Sequence, residues 1–451
     1  MKKERNNNLT QGSITPAILR FSLPFILGNL LQQCYNITDT FIVGRVLGPE
    51  ALAAVGSSYA LMIFVTSIFI GLCMGSGAVI SMLYGSNNHG EMKQNIFASI
   101  VIISTVTLTL NVIGITCLKP IIHLLQTPPE LFELTYDYLF IIFCGMFPVC
   151  IYNFYAFMLR AIGDSTTPLI FLALSVVLNI LLDLLFIIGF NGGIEGAAWA
   201  TVISQALAAL ALMLYTNKYY PQLKLKAEDL KCSTHALRHI TAHSLLTCTQ
   251  QSVMNFGILM IQGLVNSFGT AIMAAFAAAV KIDSFAYMPV QDFGNAFSTF
   301  IAQNFGANQT KRIRKGMKSA FLLVSLFSII ISFIVFITAP QLMSIFIQQA
   351  HTDIIQIGTE YLRIEGTFYI GIGWLFLLYG IFRAIDWPAM SLVLTIISLG
   401  TRVILAYTLA PIPAFSYHAI WWSVPIGWFL ADFIGFIVLY RLRRKLAKQQ
   451  P

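Results

Sequence analysis

Twelve mainly apolar stretches, each long enough for a helix to cross a bilayer, occupy almost the whole chain. They lie near 17–42, 51–84, 95–118, 137–159, 169–190, 195–216, 244–266, 271–305, 319–340, 361–382, 389–410 and 419–440. A bilayer core needs roughly 20 such residues per helix. Membrane strands would instead alternate apolar and polar residues in pieces of about ten, whereas these runs are long and uniformly apolar. The expectation is an all-α polytopic membrane protein of twelve transmembrane helices, with no room for a separate soluble domain. Composition agrees, at 57% hydrophobic and 10% charged, where soluble domains carry about 25% charged residues.

The few charges are unevenly placed. If the helices alternate from a cytoplasmic N-terminus, the inner segments hold 22 Lys and Arg, among them Lys2, Lys3, Arg5, Lys93, Arg160, Lys224, Lys231, Arg312 and Arg443. The outer segments hold only Arg45 and Lys119. This is a positive-inside pattern. The net charge of +8 therefore reads as a topology signal and not as affinity for nucleic acid, and both termini are expected in the cytoplasm. The start "MKKERNNNLTQGS" has no cleavage site of small residues behind it, so it does not read as a secretory signal. The mature chain is expected to begin at or near Met1. Seven cysteines, at 34, 73, 117, 144, 150, 232 and 248, form no CxxC pair and read as small packing residues.

Shifting the chain on itself by 221 residues lays "LGPEALAAVG" on "FGTAIMAAFA" and "MLYGSN" on "QNFGAN". At 223, Arg160 of "MLRAIGDSTTP" falls on Arg383 of "IFRAIDWP", and at 222 "AAWATV" falls on "AIWWSV". An offset this steady over six spans indicates two six-helix halves. Six crossings return each half to its starting side, so the repeats are parallel. Such repeats recur in secondary transporters, which hold substrate at the repeat interface and alternate access by moving one repeat against the other. The expected division is a first lobe at 1–216, a cytoplasmic linker at 217–243 and a second lobe at 244–451. His235, His239 and His243 in the linker have i, i+4 spacing, but without Cys or acidic partners they read as a solvated face and not a metal site.

An ionisable group at the centre of a span costs about 2.5–3.5 kcal/mol on insertion scales, so it normally faces protein or a watery cavity. Asp39 and Asp183 are the candidates in the first half. Counted from the outer helix ends, both lie roughly 10–12 Å deep, and Thr201 falls at the same level. Asn179 and Asp183 are i, i+4 on one face. In the first span Asn29, Gln32, Gln33, Asn36, Asp39 and Thr40 fall within an arc of about 120°. Two carboxylates, an amide and a hydroxyl at one depth offer oxygen ligands to a small hard cation, or a place for a shared proton. The alternative is that Asp39 caps its helix and Asp183 is tied up structurally.

The second half does not copy this site, because Met260 stands where Asp39 is matched and Arg402 and Val403 fall near the match to Asp183. It carries Gln251, Asn255, Gln262 and Asn266 on one face of the seventh span. Lys281 and Asp283 lie in the eighth, with Asp292, Asn295 and Thr299 on another face. Glu365 and Arg402 lie at similar depth and read either as a structural ion pair or as leaving Glu365 to meet a cationic substrate. Asp432 has no partner visible from sequence. Tyr35, Tyr152, Phe154, Tyr155, Tyr287 and Phe293 accompany these polar faces, a mixture suited to large lipophilic cations, though packing explains aromatics equally well.

These residues bring a family resemblance. "NITDTFIVGRVLG" in the first span, "LRAIGDSTTP" between the fourth and fifth, "LNILLDLLFI" in the fifth, "GAAWATVISQ" in the sixth and "AQNFGAN" closing the eighth resemble the multidrug and toxic compound extrusion (MATE) family of secondary transporters. The resemblance spans all twelve helices. It implies two six-helix lobes forming a V with a central cavity, and export of organic cations and amphipathic drugs in exchange for protons or sodium ions. It implies no cofactor beyond that coupling ion, and a monomer in a bacterial-type plasma membrane. The family's first-lobe cation site maps onto Asp39, Asn179, Asp183 and Thr201. Asn153 sits close to another polar position used by relatives. Gln32, Gln33, Tyr35, Asn36, Asn153, Gln251, Asn255, Tyr287, Asp292 and Glu365 are the expected cavity residues.

One departure matters. Some branches place an essential acid in the seventh helix, where this chain has Gln250, Gln251 and Asn255. Pro24 in the first helix removes a backbone hydrogen bond and permits bending, either as a device coupled to Asp39 and Asp183 or as a static kink.

Two other functions compete with export. A flippase for a lipid-linked precursor would be expected to line its cavity with basic residues, which these candidates do not. An intramembrane enzyme would need a motif such as HExxH, GxSxG or a Walker A loop, and none is present. Gly71 and Gly75, and Gly192 and Gly196, have GxxxG spacing, which close packing within one chain explains.

Overall fold

The structure, a computed structural model, describes residues 8–124, 127–226, 229–230, 233–348 and 350–448. Lys2, Lys3, Arg5, Lys231 and Cys232 lie outside them, as does the side chain of Arg443. The described residues form helices and no strand. In the first half these are α1 (Ile14–Val46), α2 (Pro49–Gly85), α3 (His89–Thr116), α4 (Leu118–Leu124), α5 (Phe132–Cys144), α6 (Met146–Ala161), α7 (Thr166–Asp183) and α8 (Gly193–Tyr219). The second half has α9 (Thr234–Asn266), α10 (Thr270–Gly306), α11 (Thr310–Phe346), α12 (Thr352–Thr367), α13 (Tyr369–Ala384), α14 (Pro388–Leu409) and α15 (His418–Lys448).

Among the described residues nine helices are long and apolar enough to span a membrane, and the bent pairs α5–α6 and α12–α13, each taken as one span, bring the total to 11. The twelfth is α9. Its 33 residues are ample, but Gln250, Gln251, Asn255 and Gln262 dilute its apolar character. Large apolar side chains such as Phe41, Leu174, Leu322 and Phe333 cover the outside, as the surface of a helix in lipid requires. This is a multi-pass membrane protein.

The duplication is visible in the backbone. α1 and α9 have 33 residues each, and α2 and α10 have 37 each. The spans formed by α5–α6 and α12–α13 bend by 47° and 52°. Corners repeat as well: Gly48 and Gly269 have φ of 90° and 96°, and Asn87 and Asn308 have 57° and 54°. Glycine occupies the left-handed region without a Cβ penalty, and Asn is the next most tolerant residue.

The chain divides into two compact units, residues 1–10 with 19–248 and residues 11–18 with 249–451. In the first unit α2 packs on the opening turns of α9. A Cβ on Gly71 would lie 2.5 Å from the Cys248 Cα, and one on Gly75 would lie 2.6 Å from the His243 carbonyl oxygen. The GxxxG spacing thus serves packing within the chain. It also corrects the reading of the linker histidines as solvated: His235 is exposed, His239 is half-buried and His243 is buried.

In the second unit Phe276 stacks on Trp421 at 5.4 Å, and Tyr361 meets the same indole edge-on at 4.9 Å. Its other segment, 11–18, is held by Arg312, which donates to the Gly12 and Gln11 carbonyls at 2.6 and 2.7 Å, and by a 2.7 Å hydrogen bond between Thr15 and Ser319.

Candidate ion site

Four helices of the first unit bring polar groups to one point. α7 presents Asn179 and Asp183 on successive turns of one face, each only 1% exposed. α1 supplies Tyr35 and Asp39, again one turn apart, α8 supplies Thr201, and α5 supplies Tyr138. The Asp39 and Asp183 carboxyl groups lie within hydrogen-bonding reach of each other, and Tyr138 stands near both. The Oδ1 atom of each acid is buried and has no hydrogen-bond partner among the described residues.

Asn179 is oriented by its neighbours. With its nitrogen toward Asp183 it donates to Oδ2 at 2.9 Å, and its carbonyl oxygen accepts from the Thr201 backbone N–H at 3.3 Å. The Thr201 hydroxyl meets the Tyr35 hydroxyl at 3.2 Å. A chain of contacts therefore runs from Tyr35 through Thr201 and Asn179 to the carboxyl pair.

Ionised carboxylates only accept hydrogen bonds. Two of them at roughly 4 Å repel by about 4 kcal/mol at a protein-like effective dielectric. One proton or one small cation removes that repulsion, so the pair is stable only with a positive partner.

Immediately after Asp183 the helix changes type, and residues 184–189 form π-helical turns. Such turns widen the helix locally and recur at functional sites. Neither this change nor Tyr138 was evident from sequence.

The other expected residues fall as follows. Gln32, Gln33 and Asn36 are half-buried on α1, while Tyr35 is buried. Asn153 is half-buried on α6, and its amide donates to the Val149 carbonyl of its own helix at 2.8 Å. On α9, Gln251 and Asn255 are half-buried, and Gln262 donates to Asn266 at 2.9 Å.

The second unit holds a separate polar group. Asp283 lies within hydrogen-bonding reach of both Glu365 and Tyr369, and Glu365 of Tyr361. Arg402 acts on both acids electrostatically, but the expected Glu365–Arg402 ion pair does not form among the described residues. Tyr287 stands beside it, its ring 6.1 Å from Phe376. Asp292 is buried elsewhere on α10. Arg383 of α13, itself buried, donates to two residues of α10, Asn295 Oδ1 at 3.0 Å and Ser298 at 3.4 Å. Asp432 is buried, and neither carboxyl oxygen has a hydrogen-bond partner among the described residues.

The end of the first unit that carries the connector has its own polar fixings. Asp164, buried in the α6–α7 corner, accepts from the Thr166 and Thr167 backbone N–H groups at 3.0 Å each and from the Tyr220 hydroxyl. Burial and the Asp164 carboxylate push the Tyr220 phenol well above its usual range, keeping it a donor. Asp229 accepts from the Lys226 N–H at 2.8 Å and pairs with Lys93 at 3.3 Å. These two contacts hold its carboxyl below the usual carboxylate range.

Known proteins with these features agree with one another. The MatE family model matches residues 24–185 and again 245–408, once in each half. The chain is 32% identical over 400 residues to the probable multidrug resistance protein YpnP of Bacillus subtilis, covering 87% of both chains. It is 25% identical over 452 residues to the multidrug export protein MepA of Staphylococcus haemolyticus, covering 99% of this chain and 98% of that one. Among solved structures, a MOP superfamily transporter from Pyrococcus furiosus superimposes with a TM-score of 0.91 at 22% identity, covering 100% of each chain. With both halves matched and the fold shared end to end, the chain belongs to the MatE family of multidrug and toxic compound extrusion transporters.

Proposed function

We propose that this transporter is an antiporter in which a proton or sodium ion entering at Asp39, Asn179, Asp183 and Thr201 drives export of lipophilic, cationic or amphipathic small molecules by alternating access. The observation that carries this reading is the buried carboxyl pair of the first unit, which needs a positive partner and can exchange it. The Asn179 amide bears on the choice of ion: with its N–H2 toward Asp183 and its carbonyl accepting from the Thr201 N–H, it suits a proton on the pair. A sodium ion would need that amide reversed so that its oxygen joins the carboxylates and the Thr201 hydroxyl. Gln32, Gln33 and Asn36 on α1, Gln251 and Asn255 on α9, and Asn153, Tyr287, Asp292 and Glu365 supply polar contacts for cargo. The names of the relatives, a multidrug resistance protein and a multidrug export protein, support the substrate class. The basic segments support a bacterial-type plasma membrane protein with both termini on the cytoplasmic side. The lobes are 1–216 and 244–451 with a linker at 217–243, and the working unit is a single chain.

The test is efflux of a fluorescent lipophilic cation from proteoliposomes under an imposed pH gradient and then a sodium gradient. Asp39→Asn and Asp183→Asn should each abolish gradient-driven efflux while substrate still binds. Unchanged efflux in both variants would remove the first unit from coupling.

A further inference from the structure

A pocket of about 390 Å³ opens in the first unit where α3, α6 and the end of α8 meet the connector. Its apolar surface comes from Ile96 and Ile100 of α3, Phe154 and Met158 of α6, and Leu223 and Leu225 of the connector, and nearly half of the lining is polar. Tyr155 is hydrogen-bonded to Asn217, and Lys224 stands at the opening. No acid lines it.

The charges around the opening differ in their engagement. Lys93, one turn before Ile96, is paired with Asp229, and Glu91 lies 3.9 Å from His235. Lys224 is exposed and makes no ion pair among the described residues, and Lys218 and Lys226 are exposed nearby. A cationic amphiphile would be repelled here. A ligand with an apolar body and an anionic head fits both halves of the site, and the volume lies within the roughly 300–1,000 Å³ of small-ligand pockets.

Position selects among such ligands. Ile96 and Ile100 lie in the second and third turns of α3, and Met158 lies in the last turn of α6. The pocket is therefore at the end of the spans where headgroups meet acyl chains, and anionic lipids concentrate beside basic juxtamembrane residues. We propose that it is a binding site for an anionic phospholipid of the cytoplasmic leaflet, one acyl chain between α3 and α6 and the phosphate on Lys224. The choice of leaflet rests on the orientation given above. The connector over the pocket is fastened on either side, by Tyr220 to Asp164 and by Asp229 to Lys93. A seated chain fills the space beneath this strap and stiffens it.

The test uses the full-length protein in nanodiscs of phosphatidylcholine doped with a phosphatidylglycerol carrying a photoactivatable diazirine on one acyl chain. A phosphatidylcholine with the same label serves as the matched probe, and crosslinks are mapped by peptide mass spectrometry. Because both leaflets carry the probe, the result does not depend on orientation. The anionic probe should label the peptides holding Ile96, Ile100, Phe154 or Met158, and the zwitterionic probe should not. Lys224→Glu should reduce that labelling to the zwitterionic level. Ile100→Trp, which fills the pocket and leaves the lysine in place, should remove it in protein that still elutes as a single species. Equal labelling by the two probes would overturn the proposal. So would labelling confined to outward-facing residues such as Leu322 and Phe333.

Discussion

Asp183 sits 1% exposed in a helix made mostly of Leu, Ile, Val and Phe, so the residues around it carry its energetic cost. With its nitrogen toward Asp183 the Asn179 amide donates a hydrogen bond at 2.9 Å, and Asp39 brings a second carboxyl within hydrogen-bonding reach. A hydrogen bond to a charged group contributes about 1.5–3 kcal/mol, and one between neutral groups about 0.5–1.5 kcal/mol. Asn179→Ala should therefore lower gradient-driven efflux by about tenfold or more, since 1.4 kcal/mol is tenfold. Tyr35→Phe removes only a neutral contact to Thr201, and its effect should be severalfold smaller in the same proteoliposome assay. The acids, the amide and the hydroxyl of this site could be read from sequence because a polar residue in a span is conspicuous, and because two helices counted from one face give comparable depths. Tyr35 came with the polar stripe of its span, but Tyr138 did not, since a tyrosine among 13% aromatic residues carries no mark of burial beside a carboxylate. The Asp283–Glu365–Tyr369 contacts stayed hidden for a related reason: depth along a helix says nothing about which way a side chain turns.

At the scale of helices, backbone contact sets the tolerances. Gly75 has the His243 carbonyl 2.6 Å from where a Cβ would be, while the nearest atom for Gly77 is 3.7 Å away, in Phe157. Overpacking costs about 1–3 kcal/mol. Gly75→Ala should lower the midpoint of thermal unfolding in detergent, and Gly77→Ala should leave it unchanged or raise it, since Ala favours the helix by about 0.8–1.0 kcal/mol. The connector makes a different prediction. The Asp229 carboxyl is held below its ordinary range, so its tie to Lys93 and the Lys226 N–H is fully present above the unfolded carboxylate value of roughly 3.9. It weakens as pH falls through the lower folded value. Hydrogen exchange of the 220–230 segment should stay protected down to about pH 5 and loosen below about pH 4, a step that Asp229→Asn removes. Helix number and order were legible because apolar length is a strong signal. The break of one span into α5 and α6, and the π turns after Asp183, were not, because local helix type depends on packing that composition does not encode.

For the whole molecule, the uneven distribution of Lys and Arg predicts the direction of insertion. A reporter that fluoresces only in the cytoplasm should be bright when fused after Leu442, and alkaline phosphatase should be active after Leu47 and inactive after Leu230. The opposite pattern would reverse the assignment of sides. Duplication kept the corners alike, with Gly48 and Gly269 or Asn87 and Asn308 in matching left-handed conformations, while the buried acids diverged. One half retains the carboxyl pair on α1 and α7. The other uses Met260 at the matching place and gathers its acids on α10 and α12.

The division into units does not follow the division into repeats. Residues 11–18, the start of the first repeat's opening helix, belong to the unit built from the second repeat, and the start of α9 up to Cys248 belongs to the unit built from the first. Each repeat has lent its leading arm to the other. A gene cut between the repeats would therefore yield two polypeptides that each lack a strip of their own interior lining. During synthesis, the first six spans must wait for the ribosome to deliver α9 before their packing closes.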